Sequence, residues 1–249
     1  MKRGIMPRIH CFEPNLSLDQ TEVFLGHGES HHLVRVLRAK TGDRVVLLNG
    51  QGLVAEGVLK EASSRTAFVR ITQVQECNRE SPSLKLALGM PKSKTVDTIV
   101  RQATELGVAG IHFLKSQRSE VTPKILSSKD KLEKCNRVAI EACKQSGNPF
   151  LPVISLGGDL KSWMEGFSES GVHFVAHPEN IVAVRGFSEL VAGQKMVWLL
   201  VGPEGGLTDC ETVLALERGF KPVNLGSTVL RVETACVAIA ALAKGLLAT

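Results

Sequence analysis

The 249-residue sequence has no hydrophobic segment long enough to cross a membrane. Its longest uninterrupted apolar run is ACVAIAALA, residues 235–243. These nine residues fall short of the about 20 that a spanning helix needs. Lys2 and Arg3 near the N-terminus are followed by Pro7 and charged residues rather than by an apolar stretch, which argues against a secretory signal. We therefore expect a cytoplasmic protein that makes no membrane contact.

Common signatures of metal sites and hydrolases are also absent. The six cysteines form no C-x-x-C pair and the seven histidines form no H-E-x-x-H motif, so zinc-finger, thioredoxin and zinc-protease interpretations fail. No G-x-S-x-G motif marks a hydrolase nucleophile. We predict no metal site and expect the cysteines to be reduced, structural thiols.

What is present is an ordinary globular composition with an uneven distribution of charge. Hydrophobic residues make up 43% of the chain and charged residues 22%, which suits one large domain or two modest ones. The net charge is +5, but it is concentrated in one part of the chain. Residues 85–150 hold 12 basic and 6 acidic residues, whereas residues 151–249 hold 7 basic and 10 acidic residues. A basic surface favours a polyanionic partner, nucleic acid first, although solvated lysine-rich helices explain the charge equally well.

Residues 1–75 are predicted to form a small β-barrel-like domain. Three runs rich in Val, Leu, Phe and Thr are typical of strands. They are residues 44–50, 53–59 and 66–74. Asn49-Gly50-Gln51-Gly52 between the first two runs predicts a hairpin turn, and one helix is predicted over residues 31–40. The polar stretch 75–83, which contains Pro82, predicts a linker.

Residues 76–249 are predicted to form an α/β domain with helices on both faces of a parallel sheet, because short apolar runs alternate with helical patterns. The predicted strands are residues 84–88, 111–114, 172–177, 196–202 and 222–226. The predicted helices are residues 95–106, 129–146, 208–219 and 233–247. The third of these helices begins with a capping box, Thr208-Asp209-Cys210-Glu211.

The last predicted helix is apolar nearly all round over residues 235–243. A helix of this kind is buried on more than one side. One side can face the sheet of its own domain and the other a second subunit. A homodimer is therefore one interpretation, and burial within a single chain is the other.

The sharpest chemical feature is LLVGPEGGLTDCE, residues 199–211, in which a buried strand runs into Gly202-Pro203-Glu204-Gly205-Gly206 and then into the capped helix. Glycines let backbone N–H groups approach a ligand closely, and the helix N-terminus adds positive potential. The loop matches neither G-x-G-x-x-G nor a P-loop, so the Rossmann dinucleotide fingerprint and the P-loop are both excluded. A ligand-binding loop and a simple tight connection both stay open.

A second loop, within LGSTVLRVETA at residues 225–235, also joins a strand end to a helix. Ligands of open α/β sheets bind beyond the carboxyl ends of the strands, so the two loops can meet around one ligand. Arg231 is a candidate for holding an anion or stabilising negative charge, and a structural salt bridge with Glu204 or Glu233 is the alternative. Near the N-terminus, Arg8 and His10 are candidates for contact with a phosphate or a base.

Together these segments resemble the bacterial small-subunit (16S) ribosomal RNA (uracil-N3)-methyltransferases of the SPOUT superfamily. The matching segments occur in order over nearly the whole chain. They are MPRIHCF (6–12), HHLVRVLRAKTGD (31–43), ALGMPKSKTVDTIVRQATELGV (87–108), KSQRSEV (115–121), EACKQSGNPFLP (141–152), LLVGPEGGLTDCE and LGSTVLRVETA. One departure is Asn148, which stands with Pro149 and Phe150 where many members carry an arginine, and it weakens the expectation of a phosphate or dimer contact there.

The resemblance implies a PUA-like β-barrel that helps to hold RNA at residues 1–75. It implies a SPOUT methyltransferase domain at residues 76–249, with a trefoil knot and the donor site in about residues 172–249. The implied reaction transfers a methyl group from S-adenosylmethionine (SAM) to N3 of a specific uridine in 16S ribosomal RNA of the small subunit, by a homodimer. The residues implied to bind SAM are His177, Val201, Gly202, Pro203, Glu204, Gly205, Gly206, Leu225, Gly226, Ser227, Leu230 and Arg231.

Such a reaction removes the N3 proton of uracil, and the resulting anion needs positive charge nearby. Arg231 is the first candidate for that charge and Arg8 the second, while Glu204 either orients Arg231 or accepts the proton. The residues expected to contact RNA are Arg8, His10, Arg35, Arg38, Lys92, Lys94, Arg101, Gln117 and Arg118.

Two other classes of function compete with this one. A non-catalytic ribosomal RNA-binding or ribosome-assembly protein on the same fold has no need of two formed glycine-containing loops. A nucleotide-dependent enzyme with an unusual phosphate loop is disfavoured by the acidic C-terminal third and by the missing P-loop lysine.

Overall fold

The computed structural model of the chain describes residues 9–79, 83–120, 128–177 and 184–245. It divides into two compact units: Met1–Arg79 with Cys143–Leu151, and Glu80–Ala142 with Pro152–Thr249. The sequence predicts residues 143–151 in the second domain, because a predicted helix runs into them. In the structure they belong to the first unit. No helix in the described part of the chain is both long and apolar enough to cross a membrane.

The first unit contains a five-stranded sheet. Its strands are β1 (Ile9–Phe12), β2 (Glu22–Phe24), β3 (Arg44–Leu48), β4 (Leu53–Glu61) and β5 (Phe68–Glu76). They lie in the order β1-β3-β4-β5-β2, with β1 and β3 parallel and the other pairs antiparallel. The core forms because side chains alternate across the strands: Ala55, Gly57 and Leu59 of β4 are buried, while Glu56 and Lys60 are exposed. Over residues 9–79 the two edge strands do not pair, so no closed barrel is found there.

The helix predicted over residues 31–40 was wrong in its bounds. Helix α1 (His27–His31) begins four residues earlier and continues as one π-helical turn, His32–Val36. The early start depends on the buried side chain of Ser30, whose hydroxyl donates to the Leu25 carbonyl at 2.9 Å and accepts from the Ala67 amide at 2.8 Å. Arg38, two residues past the π turn, has a φ of +57°, a left-handed conformation that L-residues adopt at a cost.

The segment 143–151 is bound to the first unit by backbone and side-chain contacts. The Leu151 amide donates to the Gly50 carbonyl at 2.8 Å, and the Gly52 amide donates to the Pro149 carbonyl at 3.0 Å. Lys144 has a side chain only 3% exposed, and its Nζ lies 2.8 Å from Glu29 Oε1. The other carboxylate oxygen of Glu29 accepts from the Phe12 amide at 3.2 Å. These bonds explain why the segment belongs to this unit despite its place in the sequence.

The second unit alternates strands and helices. Its strands are β6 (Ser83–Gly89), β7 (Gly110–Lys115), β8 (Val153–Asp159), β9 (Val172–Ala176), β10 (Met196–Val201) and β11 (Lys221–Val223). Its helices are α2 (Ser93–Glu105), α3 (Lys129–Ser146, whose last four residues count with the first unit), α4 (Leu160–Glu165), α5 (Val184–Val191), α6 (Asp209–Glu217) and α7 (Val232–Gly245). The strands form one sheet in the order β11-β9-β10-β6-β7-β8, and every pair is parallel, which confirms the predicted parallel α/β domain.

Three of these elements were not predicted from the sequence. They are β8, α4 and α5. β8 lacks a strong apolar pattern and contains Gly157 and Gly158, both at positive φ, so local propensity does not mark it as a strand. α4 has only six residues, too few for helical periodicity to stand out.

Both faces of the parallel sheet are covered. Trp198 and Leu200 of β10 pack in one cluster with Leu160 and Met164 of α4 and with Ala215 of α6. The alternate residues Val197 and Leu199 are fully buried and point to the opposite face, because successive side chains of a strand alternate. That face meets α7, which contacts β6 and β10.

Both tryptophans of the chain lie in one ring cluster on the α4 side of the sheet. Trp163 and Trp198 have ring centroids 5.5 Å apart, and Phe167 and Phe220 have ring centroids 5.1 Å apart. Burial against this cluster lowers the pKa of His173. His173 itself is half-buried, with its ring centroid 4.8 Å from that of Phe167.

The six cysteines are free thiols that differ in burial. Cys77 is half-buried and Cys210 is exposed, and the other four are buried. Burial raises the pKa of the Cys11, Cys143 and Cys236 thiols to about 12, so these three remain protonated and unreactive at neutral pH.

The Glu29–Lys144 ion pair gives the first stability prediction. Lys144→Ala should lower the free energy of unfolding by about 3 kcal/mol, because it leaves the Glu29 carboxylate largely buried without its cation. This is the lower end for a broken buried pair, since the Glu29 side chain is still 21% exposed. The control is Lys129→Ala, an exposed lysine at the start of the same helix, which should change stability by less than about 0.5 kcal/mol. Urea unfolding measures both, and equal midpoints for the two variants would contradict the assignment.

Candidate active site at the carboxyl edge of the parallel sheet

Parallel strands place the segments that follow them at one edge of the sheet, the usual position of ligand sites in α/β folds. Residues 90–92 follow β6, residues 116–120 follow β7, and residues 202–208 follow β10. β6 pairs with both β7 and β10, so these three segments leave neighbouring strands. His177 follows β9 and residues 224–231 follow β11 at the same edge. The two loops singled out in the sequence therefore lie at one edge, as predicted.

We call residues 202–208 the donor loop, because the sequence resemblance implies that this segment binds the methyl donor. Its glycines serve close packing of backbones: a Cβ on Gly202 would lie 2.7 Å from the Leu207 nitrogen, and Gly206 has a φ of +72°. On the neighbouring strand, a Cβ on Gly89 would lie 2.5 Å from Pro203 Cδ. Gly202 and Pro203 are buried, whereas Glu204 and Gly205 are exposed. The exposed part of the loop thus presents mainly backbone.

Glu204 lies at the start of α2. Its Oε1 accepts from the Lys92 amide at 2.9 Å and from Thr95 Oγ1 at 3.4 Å. Lys92 is the N-cap residue of α2 and supplies no side-chain cap of its own, so Glu204 satisfies a helix N–H that would otherwise be unpaired. The two salt bridges that were the structural alternative for Arg231, with Glu204 and with Glu233, are not formed among the described residues.

The loop after β11 ends at Arg231. The Gly226 amide donates to Asn224 Oδ1 at 2.8 Å, which forms a local turn, and the His177 amide donates to the Val223 carbonyl at 3.0 Å. The side chain of Arg231 is exposed, and within the described residues its guanidinium forms no ion pair or hydrogen bond. Two residues earlier, the apolar side chain of Val229 is 87% exposed.

The remaining residues expected to bind SAM differ in exposure. Val201 is buried, and Leu225 and Leu230 are half-buried. Gly226 and Ser227 are exposed. The loop after β11 therefore offers apolar side chains next to accessible backbone.

The residues expected to contact RNA divide into two groups. Lys92, Lys94 and Arg101 are exposed at the start and along one side of α2, and Lys92 Nζ lies 3.1 Å from Glu120 Oε2. Gln117 and Arg118 are exposed in the segment after β7. In the first unit, Arg35 and Arg38 are exposed and His10 is half-buried. Arg8 lies outside the described residues.

Arg118 contacts the donor loop directly. Its Nη1 donates to the carbonyl oxygens of Gly205 and Leu207, both at 3.1 Å. This contact was not predicted, because the sequence marks Arg118 only as one basic residue among many in this region.

Glu211 is a second link that sequence reasoning missed. Glu211 is only 3% exposed, and it forms the predicted capping box with Thr208. The same carboxylate also accepts from the Gln117 amide at 2.9 Å. The capping box was the only signal in the sequence, and no local pattern relates residue 211 to residue 117. Among the described residues, no group of three His, Cys, Asp or Glu side chains is placed to hold a metal ion.

Comparison with protein-family models gives two matches. Residues 79–244 match the RNA methyltransferase domain family, and residues 25–72 match the RNA methyltransferase PUA domain family. The first match alone covers more than half of the chain.

Individual proteins agree with the family matches. The chain is 32% identical to ribosomal RNA small subunit methyltransferase E of Synechocystis, over 87% of this chain and 70% of that protein. Among solved structures, ribosomal RNA small subunit methyltransferase E of Neisseria gonorrhoeae bound to SAM has a TM-score of 0.85 at 25% identity, over 96% of this chain and 98% of the other. A Legionella pneumophila protein with SAM bound has a TM-score of 0.86 at 28% identity, with the same coverage. The chain therefore belongs to the RNA methyltransferase family, as a PUA-domain-containing member similar to ribosomal RNA small subunit methyltransferase E.

Proposed function

We propose that this protein is a SAM-dependent methyltransferase of small-subunit (16S) ribosomal RNA, with N3 of one uridine as the acceptor atom. The observation that carries the proposal is the donor loop, a glycine-rich strand-to-helix turn at the carboxyl edge of the sheet, in a chain similar over nearly its whole length to proteins solved with SAM bound. The uridine and its N3 atom rest on the sequence resemblance alone.

The residues at this edge fit SAM, which is both polar and apolar. Glu204 and Gly205 of the donor loop are exposed, and their backbone groups that Arg118 does not bond suit the adenosine and amino-acid parts. Leu225 and Leu230 offer apolar surface for the adenine ring. When bound, SAM supplies an electrophilic methyl group on its sulfonium. His177, Val201, Gly202, Pro203, Glu204, Gly205, Gly206, Gly226, Ser227 and Arg231 complete the proposed binding set.

Two side chains have the properties that removal of the N3 proton requires. Arg231 is exposed and unpaired among the described residues, so its guanidinium is available to stabilise negative charge on the uracil ring. Glu204 uses only Oε1 in its bonds to α2, which leaves Oε2 available to accept the proton. Arg8 is the second candidate for the positive charge.

The first unit is proposed to hold the RNA. It carries the PUA-domain match, and Arg35 and Arg38 are exposed around its π-helical turn. Turns of this kind, and residues held at positive φ, concentrate at functional sites. The family likeness is also the basis for proposing that residues 1–75 form a PUA-like β-barrel domain, and that a trefoil knot lies in about residues 172–249.

A homodimer is the proposed assembly. The buried residues of α7 form one stripe, which includes Ala235, Ile239 and Ala243, while Ala241 is exposed and Leu242 only half-buried. Part of the apolar circumference of this helix is thus left for a second subunit. The six free cysteines fit a reducing, cytoplasmic location.

The direct test is methyl transfer. The protein, methyl-labelled SAM and small ribosomal subunits that lack the modification should give label on N3 of a single uridine. Naked 16S RNA is assayed in parallel to separate RNA from assembled subunit as the substrate. Label only on transfer RNA or large-subunit RNA would refute the acceptor. SAM binding without label on the small subunit would mean that the acceptor is wrong, whereas failure to bind SAM would favour the non-catalytic RNA-binding alternative.

Arg231 gives a sharper test of mechanism. Arg231→Ala should lower kcat by at least about 100-fold, because removal of a group that stabilises developing negative charge costs about that much. The dissociation constant for SAM, measured by calorimetry, should rise much less than kcat falls, because Arg231 is one residue of a larger proposed binding set. The control is Arg218→Ala, another exposed arginine of the same unit, which should keep full activity. Retained turnover in Arg231→Ala would remove its proposed role.

Substitution of Arg38 by glycine should stabilise the protein and weaken its binding to RNA. Arg38→Gly should raise the free energy of unfolding by up to about 1 kcal/mol, because glycine adopts a φ of +57° without strain. It should also weaken RNA binding and reduce the salt dependence by about one counterion. Arg65→Gly removes the same charge from an exposed position that lacks positive φ, and it should raise neither stability nor the dissociation constant for RNA. Unchanged RNA binding in Arg38→Gly would contradict the proposed contact.

A further inference from the structure

The donor loop has few side chains with which to fix its own shape. Three of its first five residues are glycines, and a polypeptide of this composition has large conformational freedom when free. A site that binds a flexible ligand with useful affinity must nevertheless have its backbone groups in place beforehand. Besides the bonds of Glu204 and Thr208, the contacts that hold the loop therefore come from residues outside it.

Residues 117–118 and Glu211 supply such contacts. Arg118 Nη1 bonds to the Gly205 and Leu207 carbonyls, both at 3.1 Å, so one guanidinium spans the turn. A Cβ on Gly205 would lie only 3.1 Å from the Arg118 Cβ, which shows how closely the arginine packs on the loop backbone. The charge on Arg118 makes these hydrogen bonds stronger than those between neutral groups.

The Glu211 carboxylate joins the end of the donor loop to the same segment. Oε2 accepts from the Thr208 amide at 2.8 Å and from its hydroxyl at 3.0 Å, and Oε1 accepts from the Gln117 amide at 2.9 Å. A buried carboxylate is stable only when its oxygens are paired in this way. Glu211 thus fixes the distance between the end of the donor loop and the segment that carries Arg118.

We propose that Arg118 and Glu211 are positioning residues, which hold the donor loop in its SAM-binding form. The proposal rests on the proposed function and reassigns Arg118, whose role in the sequence analysis was contact with RNA. Neither side chain needs to touch the reacting atoms. Loss of either contact lets the loop sample other conformations, so part of the binding free energy of SAM is used to reorder it.

The test compares SAM affinity with RNA affinity in the full-length protein. Arg118→Ala should raise the dissociation constant for SAM, measured by calorimetry without RNA, by about tenfold. Its dissociation constant for 16S RNA, measured by filter binding without SAM, should change no more than that of Arg137→Ala, an exposed arginine on α3. Arg118→Lys keeps the charge but lacks the planar fork of donors, so its SAM affinity should be intermediate.

Glu211→Gln tests the second contact with little change in shape. A glutamine side chain has one accepting oxygen, and its NH2 group can only donate. It therefore cannot accept from both Thr208 and the backbone N–H of Gln117, and SAM binding should weaken. The thermal midpoint of each variant shows whether it is folded. For both residues, KM for SAM should rise while kcat at saturating SAM stays near that of the unsubstituted protein, because a positioning residue is not required once SAM has ordered the loop.

Each outcome separates this proposal from the function on which it rests. If Arg118→Ala weakens RNA binding and leaves SAM binding unchanged, Arg118 is an RNA contact and the proposal is overturned. Folded variants of both residues with the SAM affinity of the unsubstituted protein also overturn it. If the unsubstituted protein itself binds no SAM, the proposed function fails, and this proposal fails with it.

Discussion

Parallel pairing of β10 with β6 is the constraint on which the candidate site depends. Residues 196–201 run beside residues 83–88, so the donor loop leaves the sheet next to the end of β6. Because β6 also pairs with β7, a third segment reaches the same edge. The backbones then come so close that Gly89 has no room for a Cβ beside Pro203. The polar contacts of the donor loop can form only once these three strands are in register.

Glu204 and Glu211, both in residues 199–211, use their carboxylates in structural contacts. Their position in or beside a proposed ligand loop does not predict these contacts. Glu204 caps the start of α2, and Glu211 closes its own capping box and bonds to the segment after β7. Each carboxylate accepts hydrogen bonds from backbone N–H groups that would otherwise be unpaired at helix ends and tight turns. A glycine-rich loop thus presents its backbone to a ligand because neighbouring side chains hold it. Loss of activity on substitution of either glutamate is therefore insufficient to identify a proton acceptor.

The first unit depends on contacts between residues that are distant along the chain. Lys144 and Glu29 are 115 positions apart, yet they form an ion pair with little exposure to solvent. Such a pair stabilises only when both charges are present, since either one alone is costly to bury. The strained backbone at Arg38 is a different case, because glycine there relieves the strain. Arg38 keeps an exposed charge beside the π turn, in the part of the chain that matches the RNA methyltransferase PUA domain family.

Local patterns in the sequence determined the parallel α/β class, most strands of both units, the capping box at Thr208 and the strand-to-helix turn of the donor loop. Each of these depends on residues within a few positions of one another. The bounds of the first helix and the partner of Glu204 were decided only by tertiary structure. The helix starts early because Ser30 bonds to the amide of Ala67, 37 positions away, and Glu204 pairs with Lys92, 112 positions away, rather than with Arg231. Partners of polar groups follow from strand order, and strand order arises from packing of the whole chain rather than from any local pattern.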